Sequence, residues 1–422
     1  MEVTRYERKL EEVTEVIGHA KLAEDDLAPQ SQALFVSDSF DDYRLLELNS
    51  SIQTNLSEGQ RVVFQGEKHE KAVLCTENET YEILEAETSN TLLLVPELIF
   101  ALPAKDGVNQ NGNGAVGEQN GTRHLSSTVI TGVFNSYLEL RKMKPRLRKL
   151  EELLSCSEYR GSELEEEVLA RADSRLYSRE DLLTLVQASS NELDEGLRQI
   201  AACQIDGKWR LLDFDYCFRV LSQIQNLVDS NSWPLNAVPE NETVETLKDI
   251  FPEVIVRHVF HQFTSPQYER NEEGDALFEL TEDKVCRFLA EALLRPLANG
   301  DHNDAACSGF DLQQFLAAWQ HSVPEGMETN VQQLAGLAVI DDSAGKTPQV
   351  KLLPEKSLPE GATERLQQLF SIRQQWTLDE IQPYIEPVAV NAADVNRLLM
   401  KHARSFMSNG KRCYTARHGQ NN

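Results

Sequence analysis

The sequence predicts an α+β protein: a small N-terminal β-module followed by tandem units built of helix, turn, helix and β-hairpin. Three observations predict it. Residues 1–103 carry short β-branched or aromatic runs between turn residues. Beyond residue 171, three stretches repeat one series of helix caps, helix faces and Gly-Lys turns. The 422 residues, 41% hydrophobic and 26% charged, have the balance of a globular chain long enough for about three domains at roughly 100–200 residues each.

In the β-module the expected strands are Tyr43 to Leu48, Arg61 to Phe64, Ala72 to Cys75, Tyr81 to Leu84 and Thr91 to Val95, set between turn residues such as Gly59, Gly66 and Asn78. An open sheet of this size has edges that need cover or a partner strand. Residues 104–123 follow, dominated by Gly, Asn and Gln. They bury too little apolar area to offset chain entropy and read as a flexible linker or insertion. A basic connector, residues 124–170, contains SYLELRKMKPRLRKLEELL (Ser136 to Leu154). Leu138, Leu147, Leu150, Leu153 and Leu154 there fall near helical spacing, which predicts a helix broken near Pro145.

In the first tandem unit, residues 171–235, Ser178-x-x-Asp181 and Ser189-x-x-Glu192 have capping-box spacing. They open helices through Leu182 and Leu185 and through Leu193 and Leu197. Asp206-Gly207 then predicts a hairpin, because a type I′ turn needs positive φ at both central positions. In the second unit, residues 236–356, Asp311 precedes a helix through Phe315 and Trp319, Thr329-x-x-Gln332 caps another through Leu334 and Leu337, and Gly345-Lys346 leads into Val350 and Leu352. Helices expected over Thr243 to Phe263 and Thr281 to Leu294 elaborate this unit. In the third, residues 357–422, Thr377-x-x-Glu380 and Asn391-x-x-Asp394 open two helices, and Asn409-Gly410-Lys411 turns into Cys413-Tyr414-Thr415. From Leu193 to Gly207 and from Val331 to Gly345 the separation is 14 residues, and from Val395 to Gly410 it is 15. Helix, turn, helix and hairpin make the winged-helix variant of the helix-turn-helix, so the expectation is three tandem winged-helix domains.

Asp and Glu outnumber Lys and Arg by 68 to 41, a net charge of −27, so the chain as a whole repels polyanions unless positive charge is gathered locally. It is gathered at one end. Val395 to Asn422 contains no acid, while Arg397, Lys401, Arg404, Lys411, Arg412 and Arg417 give +6. The first three are expected at i, i+4 and i+7 on the second helix of the third unit, and the others beside or after its wing, where winged helices touch DNA. These six are the candidate DNA-binding residues.

Nothing in the sequence points to catalysis, a metal or a cofactor. Gly345-Lys346-Thr347 has the end of a P-loop, but Ile340 stands where its first glycine belongs, so the phosphate cradle is missing. Asp213-x-Asp215 lacks the further oxygen ligands that Mg²⁺ needs, and His258 and His261 lack an H-E-x-x-H pattern and a third ligand. Gln313-x-x-Leu316-x-x-Trp319 has only part of a clamp-binding motif and reads as a core helix. The seven cysteines are scattered and never spaced C-x-x-C, which fits a reducing compartment better than a disulfide framework. The longest apolar run, Leu92 to Pro103, is broken by Pro96 and Glu97 and is too short to span a bilayer, so no membrane partner is expected.

Five blocks carry a family resemblance: EKAVLCTENETYEILEAETSNTLLLVP (Glu70 to Pro96), SYLELRKMKPRLRKLEELL, YSREDLLTLVQASSNELDEGLRQIAACQIDGKWRLLDFDY (Tyr177 to Tyr216), WQHSVPEGM (Trp319 to Met327) and LFSIRQQWTLDEIQPYI (Leu369 to Ile385). Together they span nearly the whole chain, and none is an active-site motif. The chain resembles the "defective in sister chromatid cohesion" family, a subunit of the alternative clamp loader built on replication factor C. The resemblance implies a nuclear, non-catalytic subunit whose β-module completes a shared β-barrel with a small partner subunit and the tail of the large ATPase subunit. It further implies winged helices associated with DNA and DNA polymerase epsilon, and work on the sliding clamp PCNA at replication forks, with ATP hydrolysed by other subunits. The Lys105 to Arg123 insertion and the tail beyond Arg417 are particular to this chain. Two other readings stay open: a tandem winged-helix adaptor in a trafficking or ubiquitin-ligase scaffold, whose wings bind protein, and a Mg²⁺-dependent nuclease using Asp213 and Asp215.

Overall fold

The computed structural model describes residues 10–23, 32–37, 39, 40, 42–96, 98, 126–270, 274–298, 310–341, 347–389, 391–408 and 410–417. The 104–123 linker and the Gly345-Lys346 turn lie outside these. The chain divides into two units, one of Met1–Asn49 with Leu84–Leu140, the other of Ser50–Ile83 with Arg141–Asn422.

The N-terminal elements are α1 (Leu10–His19), β1 (Gln32–Val36), α2 (Ser50–Ser57), β2 (Val63–Gln65), β3 (Val73–Cys75), β4 (Thr80–Leu94), β5 (Ser126–Ile130) and β6 (Gly132–Met143). The first unit holds α1, β1, β5 and most of β4 and β6. There β1 and β5 run parallel, in register from Gln32 opposite Ser126 to Val36 opposite Ile130, and β4 neighbours β6. In the second unit β2, β3 and the start of β4 form an antiparallel meander.

Several expectations about this region are corrected. Tyr81 to Leu84 and all of Thr91 to Val95 except Val95 belong to one long strand, β4, and Tyr43 to Leu48 contributes only an isolated bridge from Leu46 to Leu138. Ser136 to Met143 is strand, not helix, and only Arg148–Ser155 beyond Pro145 is helical. Pairing with a neighbouring strand overrides a leucine spacing that was ambiguous over so short a run.

The remainder of the second unit repeats one series four times: helix, short strand, helix, helix, strand, strand. The first set is α3 (Arg148–Ser155), a short extra helix α4 (Glu165–Leu169), α5 (Arg179–Leu185), α6 (Ser190–Gln199), β7 (Cys203–Ile205) and β8 (Lys208–Arg210), with Tyr177, bridged to Trp209, in place of the short strand. The second is α7 (Phe214–Ser230), β9 (Val238–Pro239), α8 (Glu240–Leu247), α9 (Glu253–Phe263), β10 (Thr264–Arg270) and β11 (Ala276–Leu280). The third is α10 (Glu282–Ala298), β12 (Phe310–Asp311), α11 (Leu312–Ser322), a single 3₁₀ turn at Val331–Leu334, β13 (Ala338–Asp341) and β14 (Gln349–Leu352). The fourth is α12 (Ala362–Ile372), β15 (Trp376–Thr377), α13 (Leu378–Ile385), α14 (Ala392–His402), β16 (Ala403–Ser408) and β17 (Lys411–Ala416). In each of the last three, the final strand lies between the other two.

The sequence predicts three units, and the structure differs in the middle. Thr243 to Phe263 is not one helix elaborating a larger unit but α8 and α9, parted at Pro252, and with α7 and their own three strands they complete a set. Proline pushes the residue before it out of the helical region, so the break is local chemistry. The cap expected at Thr329 is one residue later, at Asn330, and the helix it opens is only the 3₁₀ turn.

Local signals place the other helices. Ser178 and Ser189 each form a reciprocal capping box, with Asp181 and Glu192. Asp311 accepts the Gln314 amide at 3.0 Å and Asn391 the Asp394 amide at 3.0 Å. At the β7–β8 turn Asp206 and Gly207 have φ of 50° and 76°, the pair of positive values the type I′ turn requires. Three apolar clusters hold the sets. One belongs to the first set, one runs from α7 through β14 across the second and third and also takes Tyr159 and Cys203 of the first, and one, which also takes Val339 and Leu353, belongs to the fourth. Phe288 on α10 joins the middle pair, its ring 4.6 Å from Phe214 and 5.0 Å from Phe263.

Candidate functional site

The fourth set carries all six candidate cations. Its core packs Leu366, Leu369 and Phe370 of α12 with Trp376 and Tyr384, whose rings meet edge to face at 5.6 Å. Buried Arg365 donates to the carbonyls of Leu358, Pro359 and Tyr384 at 3.2, 2.7 and 2.7 Å, tying α12 to the end of α13. Glu380 accepts both the amide and the hydroxyl of Thr377 at 2.8 Å and binds Arg373, which fixes the start of α13.

On this frame α14 turns Val395 and Leu399 inward and Arg397, Met400 and Lys401 outward. Arg404 is not the third member of that helical row. The helix ends at His402 and Arg404 stands on β16, because the chain passes directly into the hairpin. Cross-strand register sorts the rest: Arg404 opposes Thr415, Met407 opposes Arg412, and Ser408 opposes Lys411. Side chains alternate along a strand, so Arg404 and Lys411 leave one face of the hairpin, and Arg412 leaves the other, the face that carries Tyr414 into the core. Arg417 donates to the Lys401 carbonyl at 2.6 Å and so lies at the C-terminal end of α14. The six residues therefore occupy a helix face and both faces of one hairpin.

Among the described residues Arg397 is the one of the six held in an ion pair, 2.5 Å from the Asp394 carboxylate. Lys401, Arg404, Lys411, Arg412 and Arg417 are all exposed. Burial, with Lys401 and Arg417 beside it, holds His402 below its ordinary pKa, which disfavours a further positive charge there.

The corresponding helices of the other sets are different surfaces. The face of α6 carries Glu192, Asp194 and Glu195, and its first turn is packed on the β3–β4 turn, where Asn191 donates its amide to the Glu77 carbonyl at 3.0 Å. On α9, Arg257 and His261 both lie against Glu240, at 2.8 and 3.0 Å. The third set has only its 3₁₀ turn.

The first unit offers a second surface. Leu34 and Val36 on one face of β1 and Phe35 on the other are 50%, 66% and 51% exposed, and Val129 on β5 is also exposed. Parallel strands are ordinarily covered on both faces. Among the described residues the buried hydrophobics of this unit are Ile130 and Phe134, and none of the three apolar clusters reaches it. Sequence reasoning missed β1, although QALFV is a short apolar run of strand length, and it missed the exposed methionines of α14 and β16.

The other candidates have structural positions. Asp213 caps α7 by accepting the Tyr216 amide at 3.2 Å and faces Arg160 at 3.6 Å. His258 is hydrogen-bonded to the Ala201 carbonyl at 2.9 Å. Trp319 is fully buried, its indole donating to the Cys286 carbonyl at 2.7 Å, which makes the Gln313 to Trp319 stretch a core helix. Burial pushes the thiols of Cys75 and Cys286 up to about 11 and those of Cys203 and Cys217 to about 12. Among the described residues no group of three or more His, Cys, Asp or Glu is placed to hold a metal ion, and no helix is long and apolar enough to cross a membrane.

Comparison with known proteins gives one answer. The family model described as sister chromatid cohesion protein Dcc1 matches residues 43–385. Relatives bearing the name sister chromatid cohesion protein DCC1 include that of Danio rerio, 38% identical over 97% of this chain and 98% of its own length. That of Xenopus laevis is 36% identical over 97% and 98%, and that of Homo sapiens 35% identical over 89% and 88%.

Proposed function

The chain belongs to the sister chromatid cohesion protein Dcc1 family, and from that premise we propose that it is a non-catalytic, nuclear subunit of the alternative, replication factor C-based clamp loader. In this reading the first unit is half of an assembly surface. It completes a β-barrel with a small partner subunit and the tail of the large ATPase subunit, which would cover Leu34, Phe35 and Val36. The observation that carries the reading is that parallel pair, β1 with β5, whose Leu34, Phe35 and Val36 are exposed on both faces of β1 in a unit that, among the described residues, none of the three apolar clusters reaches.

The four sets are read as tandem winged helices, over about 148–210, 214–280, 282–352 and 362–416. The series of elements and the middle position of each final strand support this partition over the expected 171–235, 236–356 and 357–422. The fourth binds DNA through Lys401, Arg404, Lys411 and Arg412, assisted by Arg397 and Arg417, and the chain contacts DNA polymerase epsilon and acts on PCNA through its complex.

Affinity purification from nuclear extract, with mass spectrometry of the retained proteins, tests the assembly reading. The unsubstituted chain is expected to retain the large ATPase subunit and a small partner. A chain carrying Leu34→Asp, Phe35→Asp and Val36→Asp should lose both while keeping its DNA affinity. If the unsubstituted chain brings down neither subunit, the clamp-loader reading falls.

A further inference from the structure

The two most exposed large hydrophobic side chains among the described residues are Met400, at 74%, and Met407, at 69%. Both lie in the stretch from Val395 to Asn422 that contains no acid. Met400 shares the outer face of α14 with Arg397 and Lys401. Met407 is on β16, an edge strand of its sheet, directly opposite Arg412, and the two side chains leave the hairpin on the same face. One rung further Ser408 opposes Lys411, and Gly410, just before Lys411, has φ of 78°. These last two described rungs present one apolar side chain with a cation beside it and a second cation on the other face.

A surface that only gathered phosphates would need cations and hydroxyls there. An unbranched thioether adds nothing to a phosphate contact, but it is thin, flexible and apolar, the properties of the side chains that enter between base pairs from the minor groove. That groove is about 6 Å wide, too narrow for a helix, so what enters it is a single side chain.

We propose that Met407 is an apolar wedge: when the fourth set binds duplex DNA, its side chain enters the minor groove and partly unstacks one base step, while Arg412 and Lys411 hold phosphates on the two sides. This rests on the DNA-binding reading of the fourth set. It adds a sequence preference that phosphate contacts alone do not give, because TA and CA steps unstack most readily.

The test uses the full chain and a duplex carrying 2-aminopurine at a central TA step, with binding followed separately by anisotropy across a salt series. The unsubstituted chain is expected to raise the 2-aminopurine fluorescence on binding. Met407→Ala should bind with an unchanged salt slope and lose the rise, Met407→Leu should keep it, and Met400→Ala, which removes an equally exposed methionine from the helix, should keep it too. A rise undiminished in Met407→Ala overturns the wedge, as does binding by the unsubstituted chain without any rise; in both cases the DNA reading stands. If the unsubstituted chain fails to bind duplex at low salt, or binds only vesicles of anionic phospholipid, the DNA reading and the wedge fall together.

Discussion

The hydroxyl of Thr80 donates to the Glu192 carboxylate at 2.6 Å and accepts the Ser189 amide at 2.9 Å, with Thr80 wholly buried. Glu192 is also the residue that closes the α6 capping box. One threonine at the start of β4 therefore supports a helix cap 112 residues away, so the β3–β4 turn and the first set hold each other in place. Replacing Thr80 with Val keeps the shape and removes both bonds, and a buried amide and carboxylate left short of partners should lower stability by about 1–3 kcal/mol. Urea denaturation measures this. Thr80→Ser should recover most of the loss, and an unmoved midpoint in Thr80→Val would show that the contact is dispensable.

Arg365 makes a comparable prediction for the fourth set. Its guanidinium is buried against three carbonyls, and burial holds its pKa below the ordinary value. Arg365→Met leaves those carbonyls without a donor and should destabilise the set by about 1–3 kcal/mol, with Arg365→Lys recovering only part because an ammonium lacks the planar fork. The fluorescence of buried Trp376 during denaturation is the readout.

Two groups make acid destabilising. Burial opposes ionisation of Glu380, but Arg373 and Thr377 together outweigh it and hold the carboxyl below its ordinary value of 4.5. Stability from such a group is present above the unfolded value and lost as pH falls through the folded one. Burial lowers the pKa of His258 from 6.5, against the opposing Ala201 carbonyl. The fold favours the neutral ring, so its contribution begins to be lost as pH falls below 6.5, before that of Glu380. The denaturation midpoint should fall between about pH 7.5 and 5.5, and fall less in His258→Gln, whose amide can still donate to Ala201. Equal falls in the two proteins would remove His258 from the account.

Duplex affinity should drop steeply with salt, by roughly 0.9 log unit per decade for each phosphate contact. Substituting Lys401, Arg404, Lys411 and Arg412 together with Ala should flatten that slope. Arg397→Ala alone should change it less, since Asp394 already neutralises that side chain. An unchanged slope in the fourfold variant, measured by anisotropy, would exclude these residues from the contact.

What the sequence makes legible is local chemistry. The caps at Ser178, Ser189, Asp311, Thr377 and Asn391 and the Asp206-Gly207 turn act within three or four residues, and each is where the spacing puts it. The Phe251-Pro252 break between α8 and α9 was equally local, but the apolar rhythm running through Thr243 to Phe263 masked it. Ser136 to Met143 was not legible, because its leucines fit a helix and only a neighbouring strand decides otherwise. At the candidate site the composition of the basic stretch could be read directly. Its division into a helix face and two hairpin faces depends on α14 ending at His402, a boundary no cap residue announces.

The apolar cluster that runs unbroken from α7 to β14 has a mechanical consequence. Under tension applied at its ends, the chain should not give up its sets one at a time, because that cluster also takes Tyr159 and Cys203 of the first set and the cluster of the fourth takes Val339 of β13. The second and third should yield together in one larger step, since drawing out α10 strips Phe288 from Phe214 and Phe263 as it opens its own set. A molecule with four repeats would therefore give fewer rupture events than repeats.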